Sequence, residues 1–208
     1  MMVKAKGPVW HAKHKKLGII PKGLRGVDKE ATWAKSKAKG WVYGHGTFML
    51  TSFRLPVVGM FKWIVNSENE AKRMETEIVK YERLIRKVFM DSKADDAKMY
   101  FRLKQDYQIQ LITSPRKGMD KTPLRRKMIS EMLTEQNRKD YVKRSTTVEP
   151  MQGLIADIFE LKTGCWMRGN DNNKWLFAAM GVAVQMAQLD ALIEKRSTWN
   201  IKQHVLGV

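Results

Sequence analysis

Asp91 and Glu149 are the side chains whose types and settings suit chemistry best. Asp91 closes the run Lys87-Val88-Phe89-Met90, which reads as a short buried strand. In open α/β sheets, ligands collect beyond the C-terminal ends of strands. A carboxylate there either holds a metal ion or caps the following helix. Glu149 lies on a predicted helix whose apolar stripe is Met151, Leu154, Ile158 and Leu161. At ~100° per residue it falls roughly opposite Met151. It is therefore off the core stripe, either solvated or free to reach a site. Two carboxylates on rigid elements could share Mg²⁺ (or Mn²⁺), which takes oxygen ligands and keeps several waters. Paired ions of this kind activate a water or a 3′-hydroxyl and stabilise the leaving oxygen of a phosphodiester. Most such arrangements use more than two acids, and Asp95, Asp96 and Asp157 are the candidate extras. His11 and His14 stand three apart with no further His or Cys nearby, so no zinc set is expected. The one cysteine, Cys165, excludes an intrachain disulfide framework and suits a reducing compartment. No strand–glycine–helix phosphate loop is present.

Several elements must position these residues. Residues 41–65 read as a strand pair interrupted at Pro56. Ser67 and Glu70 form a capping box ahead of the stripe Ala71, Met74, Ile78, Tyr81 and Ile85. After the strand at 87–91, Ser92 and Asp95 offer a second capping box for a helix to about Lys104. Tyr107, Ile109 and Leu111 alternate with glutamines as a further strand, which stops before Pro115. One helix is expected around 124–137, and the helix bearing Glu149 runs to Leu161 and ends by Gly164. A last long helix shows Trp175, Ala179, Val182, Met186, Leu189 and Ile193 at steps of three and four, read as its core stripe. Strands followed by helices in this order predict an α/β sheet with a helical C-terminal part.

The chain of 208 residues carries 39 Lys plus Arg against 21 Asp plus Glu, a net charge of +18. Hydrophobic residues make up 43%, enough for a core. The most apolar run, 175–187, falls short of the ~20 residues a membrane span needs, so a membrane partner is not expected. The charge is clustered, with a net of +9 over residues 1–40 and +6 over 115–144. Such segments suit a polyanion, and nucleic acid is the commonest; the alternative is a basic arm that only keeps the chain soluble. Glycines and prolines at 7, 8, 18, 21, 23 and 26 predict an irregular basic arm over 1–39. Trp10 and Trp33 within it either stack on bases or pin the arm. Arg116, Lys117, Arg125, Arg126 and Lys143 in the second cluster are the candidate DNA contacts.

Phe89-Met90-Asp91, a helix, and then Ile109-Gln110-Leu111-Ile112-Thr113-Ser114-Pro115-Arg116-Lys117 resemble the insertion-sequence DDE transposases of bacteria and archaea. Tyr141-Val142-Lys143-Arg144 followed by Thr147-Val148-Glu149-Pro150 is similar to that family's signature around its catalytic glutamate, the most specific part of the likeness. Arg168-Gly169, Lys174-Trp175-Leu176 and Lys39-Gly40-Trp41-Val42-Tyr43-Gly44 resemble its C-terminal segment and second strand. The resemblance implies a ribonuclease-H-like mixed sheet flanked by helices. It also implies metal-dependent cleavage and transfer of transposon-end DNA, with Asp91 as second acid and Glu149 as third. Tyr141 and Arg144 would then contact donor-end DNA. Double-stranded terminal repeats and target DNA are the implied partners, a homo-oligomer is compatible, and a nucleoid-associated cytoplasmic location follows.

Two departures stand out. Four residues separate Arg144 from Glu149, where the best-known form of the signature has three, and the signature's lysine falls on Ala156. The family's first aspartate ends a strand just ahead of a segment like Lys4-Ala5-Lys6. The chain starts at Met1, so that strand and acid are expected to be missing, and Asp28, in the arm, is a poor replacement. A truncated transposase is the expectation, divided into an arm (1–39), a catalytic core (40–163) and a helical segment (164–208). The rivals are a DNA-binding remnant that occupies terminal repeats or inhibits full-length transposase, and a nuclease without strand transfer.

Overall fold

The computed structural model describes residues 1–36, 40–52, 55, 57–116 and 122–207. In chain order the elements are β1 (Met2–Lys4), α1 (Ala12–Lys16), β2 (Thr32–Ser36), β3 (Gly40–Thr51), β4 (Val58–Val65) and α2 (Glu70–Ile78). There follow β5 (Lys87–Phe89), α3 (Ala97–Tyr107), β6 (Gln110–Ile112), α4 (Pro123–Met132) and α5 (Glu135–Val142). The last are α6 (Val148–Ile158), α7 (Asn170–Ile193) and α8 (Lys202–Leu206). The chain is of the α/β class. It divides into two compact units, Met1–Glu68 with Thr147–Val208, and Asn69–Thr146. The expected boundaries after 39 and 163 do not coincide with that division.

The first unit is built on β3, which is long enough to serve three partners. Its N-terminal half pairs antiparallel with β2 and its C-terminal half with β4. On the opposite edge β1 pairs antiparallel over Gly44 to Gly46. Gly44 is required there, because a Cβ would sit 1.9 Å from the Val3 carbonyl oxygen. The stretch whose glycines and prolines predict an irregular arm is irregular over residues 5–31, apart from α1, but its two ends are tied into the sheet. Two strands of that stretch are ladder partners of β3, and Trp10 is buried.

Helix α7 lies on β4. Phe177 meets Phe61 edge to face, with ring centroids 5.8 Å apart. Gly181 permits the approach, since a Cβ would stand 3.1 Å from that of Phe61. Gln188 Oε1 accepts the Val58 amide at 2.8 Å, and Gln185 Nε2 donates to the Gly59 carbonyl at 2.9 Å. Two glutamines on the helix therefore satisfy backbone groups of β4. The core joins Val3, Phe61, Met151, Ile155, Phe177 and Val184. The stripe of Trp175, Val182, Met186, Leu189 and Ile193 expected in this core is instead exposed. The buried face is Asn173, Phe177, Met180, Gly181, Val184, Ala187, Gln188 and Ala191. By length and composition α7 could cross a membrane, but that face is occupied by its own sheet and neighbours.

The second unit holds β5 and β6 paired parallel through the α3 crossover. The strands therefore form two separate ladders, antiparallel in the first unit and parallel in the second. Its helix starts differ from the expected caps. Asn69, not Ser67, caps α2, accepting from the Ala71 amide at 3.0 Å. Asp96, not Ser92, caps α3, accepting from the Lys98 amide at 2.8 Å, while Ser92–Ala94 forms a single tight turn. The helix expected over 124–137 is broken into α4 and α5, because Thr134 caps a new start by accepting the Asn137 amide. Met128 and Met132 face the interior, and Lys104 and Tyr100 reach Glu131 at 2.6 and 3.2 Å.

Candidate nucleic-acid interface

In the second unit Asp91 stands two residues beyond the end of β5. The Met90 amide still donates to the Ile112 carbonyl at 2.9 Å, which holds the strand end in place. Asp91 Oδ1 then accepts the Lys93 amide at 2.9 Å and starts the tight turn. Arg116, just past β6, folds back on this turn. Its Nε donates to the Ser92 carbonyl at 2.7 Å and its Nη2 to the Lys93 carbonyl at 3.0 Å. Its backbone amide donates to Asp95 Oδ2 at 2.6 Å. Asp95 is buried and also pairs with the Arg125 guanidinium, which is itself largely covered. Asp95 Oδ1 is buried without a hydrogen-bond partner. Two of the candidate DNA contacts, Arg116 and Arg125, are thus engaged in shaping the segment after Asp91. Arg126 is exposed. Lys117 lies outside the described residues, as do Lys39 and Pro56.

Tyr141 on α5 stacks against Arg144, whose guanidinium carbon is 5.5 Å from the ring centroid. Lys143 beside them is exposed. The pair presents a planar cation and a phenol together, a combination suited to phosphate and base contact. In the first unit Glu149 is exposed in the first turn of α6, while Met151, Ile155, Ala156 and Ile158 are buried. The alanine standing at the signature's lysine position is therefore a core residue.

Three further carboxylates considered as metal ligands have structural partners. Asp95 is held by Arg125 and Arg116, Asp96 caps α3, and Asp157 lies within 3.3–3.4 Å of Lys162 and Lys202. These lysines hold the exposed Asp157 carboxyl below its ordinary range. A cation would be repelled by the arginine already on Asp95. Among the described residues no group of three or more His, Cys, Asp or Glu comes together as a metal set. Asp91 and Glu149 remain hard oxygen donors of the kind Mg²⁺ takes alongside substrate phosphates.

Trp10 and Trp33 are pinned. The Trp10 indole donates to the Ile19 carbonyl, and the Trp33 indole to the Trp10 carbonyl, both at 2.9 Å. The Trp33 ring also lines an open cleft of about 570 Å³ in the first unit, with Trp41, Trp166, Lys4 and Lys6. Trp41 is 65% and Trp166 46% exposed. Lys6 Nζ donates to the Trp166 carbonyl at 2.6 Å, and exposed indoles with lysines nearby are the kind of groups that single-strand binding would use. Trp41 and Trp166 carry no sequence signal for this role, because they are 125 residues apart.

Asp28 has a role that its position in the sequence conceals. It is buried, and His45 Nε2 lies 2.9 Å from its Oδ2. The Trp63 indole donates to His45 Nδ1 at 3.0 Å. An indole N–H can only donate, so Nδ1 accepts and the imidazole proton sits on Nε2, directed at Asp28. The Gly169 amide donates to the same carboxylate oxygen at 3.1 Å, and the Glu30 and Ala31 amides donate to the other. Burial pushes the Asp28 carboxyl up, but the hydrogen bonds from His45, Gly169 and Glu30 outweigh it and hold the group below its ordinary value. The carboxylates of Asp28 and Glu30 also sit at the N-terminus of α7, where they complement its dipole. Burial, with Asp28 nearby, pushes the Tyr43 phenol and the Cys165 thiol up to about 12. Cys165 is thus a neutral, buried thiol and not a nucleophile. Comparison with protein families, curated proteins and solved structures found no match for the chain.

Proposed function

We propose that this chain is a DNA-binding protein of the DDE-transposase kind, with a ribonuclease-H-like architecture, acting on transposon-end DNA. The observation that carries the reading is the stacked Tyr141–Arg144 pair with Lys143 beside it. It ends a basic segment of net +6 and leads within five residues to the exposed Glu149. Arg144, Lys143, Arg126 and Lys117 bind phosphates; Arg116 and Arg125 shape the turn after Asp91. The carboxylates of Asp91, in the second unit, and of Glu149, in the first, are each a hard donor that Mg²⁺ or Mn²⁺ would take. Such an ion would supply polarisation of the scissile phosphodiester and activation of a water or 3′-hydroxyl. Tyr141 and Arg144 orient the strand, which is the protein's own share of the step. A nucleoid-associated place in the cytoplasm follows from the substrate.

A second reading, a DNA-binding module without cleavage, is favoured by one observation. Asp91 already caps a turn, and Asp95, Asp96 and Asp157 are each engaged within the chain. Fluorescence anisotropy with a labelled duplex tests the part common to both. If about six cations reach phosphates, log K falls against log salt with a slope near −5. Arg144→Ala reduces that slope by about one. Incubation of supercoiled plasmid with Mg²⁺ separates the two readings. Nicking that disappears in Asp91→Ala and Glu149→Ala supports the enzyme, and joined rather than free ends distinguish transfer from a nuclease. Tight, salt-sensitive binding with no nicking selects the module, and salt-insensitive or absent binding ends both readings.

A further inference from the structure

The outward face of α7 carries an inference that does not depend on DNA. Trp175, Val182, Met186, Leu189 and Ile193 are 79, 53, 67, 58 and 72% exposed, and Ala179 between them is exposed as well. Their spacings are four, three, four, three and four. That alternation is the a/d pattern of a helix that packs lengthwise on another helix. The opposite face of α7 is already packed within its own unit, so this stripe is a second apolar face on one helix. A run of large exposed apolar side chains about 27 Å long, at 1.5 Å per residue, is not ordinary for a monomer surface.

We infer that this face pairs with the same face of a second copy of the chain, with the two α7 helices antiparallel. Three observations favour that occupant. First, residues 175–189 contain no charged side chain in a protein of net charge +18. Two copies can therefore meet there without bringing their excess charge together, whereas a phosphate backbone would find no cation to displace its counterions. Second, the stripe is self-complementary about Val184. Antiparallel pairing sets Trp175 against Ile193, Ala179 against Leu189 and Val182 against Met186 of the second copy. The small Ala179 then faces a large side chain, and the helix dipoles oppose each other. A two-fold axis requires this self-matching of one patch. Third, the area is of the right order. Trp175 offers about 200 Å² and each of the four large aliphatic side chains on the order of 100 Å², about 600 Å² in all. A standard interface takes ~800 Å² per partner, and Leu192 and Ala178 flank the stripe. A lipid surface fits less well, since helices that lie in membrane interfaces carry Lys and Arg along the rim of the apolar face.

The test is the molar mass of the full chain by light scattering at tens of micromolar, in high salt to suppress DNA carry-over. The expected value is twice the 24.1 kDa of one chain. Met186→Lys is expected to weaken pairing at least about 100-fold, because each copy would bury an ammonium in an apolar seam. Its far-UV circular dichroism should match the parent's, since Met186 lies outside the core, while its melting temperature should lose the dependence on protein concentration that a dimer shows. For the orientation, an Ala179→Cys chain is mixed with a Leu189→Cys chain and oxidised. The mixture should cross-link while each variant alone does not; Cys165, buried and neutral, stays silent. A parent chain of single mass overturns the inference, as does a Met186→Lys variant that remains a dimer. Sedimentation of a monomer with neutral phosphatidylcholine vesicles would do so too. Self-cross-linking of Ala179→Cys alone overturns the antiparallel arrangement.

Discussion

Asp28→Ala removes the carboxylate to which His45, Gly169, Glu30 and Ala31 all donate. Four segments of the first unit meet at that group: the N-terminal stretch, β3 through His45, β4 through Trp63, and the start of α7. His45 and Ala31 are 1% and 0% exposed, so water cannot replace the lost acceptor. Each buried donor left unpaired costs about 1–3 kcal/mol. With two fully buried donors and the Gly169 amide partly buried, the loss is about 4 kcal/mol. That is a large part of the ~5–15 kcal/mol by which domains are stable. For a chain of this size each kcal/mol moves Tm by about 2–4 °C, so a fall of roughly 8–16 °C is expected. All seven tryptophans lie in the first unit, so tryptophan fluorescence during heating or urea titration reports that unit alone. Asp28→Asn should fall between parent and alanine, because its amide nitrogen must face a donor. The acid limb gives a second readout. The folded carboxyl is held below its unfolded value, so its contribution is present above about pH 4 and fades as pH falls through the lower folded value. The gap between parent and Asp28→Ala should narrow there. A loss below about 1 kcal/mol at neutral pH, or a gap that widens in acid, would refute the assignment of Asp28 as the buried acceptor.

Two further outcomes concern groups away from that network. Cys165, with its thiol pushed up to about 12, should resist Ellman's reagent at pH 8 in the folded chain and react within the dead time in denaturant. In the second unit, Arg125→Ala leaves the buried Asp95 carboxylate without its ion partner and should cost about 3 kcal/mol. The exposed Arg126→Ala should change stability by less than about 0.5 kcal/mol. Amide hydrogen exchange over α3 and β6 reads both, and equal protection in the two variants would count against a structural Asp95–Arg125 pair.

Features set by neighbours in the chain were legible from the sequence. The paired strands of 41–65 appear as β3 and β4, and the apolar run before Asp91 appears as β5, because alternation and turn residues act over a few positions. Glu149 falls on the outer side of α6 because two residues from Met151 is half a turn. The helix starts shifted by two to four residues, since Asn69 and Asp96 compete with Ser67 and Ser92 as caps and only the packed chain selects one.

What the sequence by itself determined is the charge and its clustering, the α/β alternation, and the candidate acids Asp91 and Glu149 with the transposase-like signature near the latter. Tertiary structure alone decided three things. It chose the buried face of α7: Phe177, Met180, Val184, Ala187 and Ala191 repeat at the same steps as Ala179, Val182, Met186, Leu189 and Ile193, so periodicity cannot rank two apolar stripes on one helix. It paired the two ends of the N-terminal stretch, Met2–Lys4 and Thr32–Ser36, with β3 and left the glycine-rich residues between them without a strand, because β3 offers hydrogen-bonding edges that local propensity does not see. And it gave Asp28 its partners, His45 and Gly169, at separations of 17 and 141 residues. A buried carboxylate is stable only where donors from distant segments converge on it, and that convergence exists only once the chain has folded.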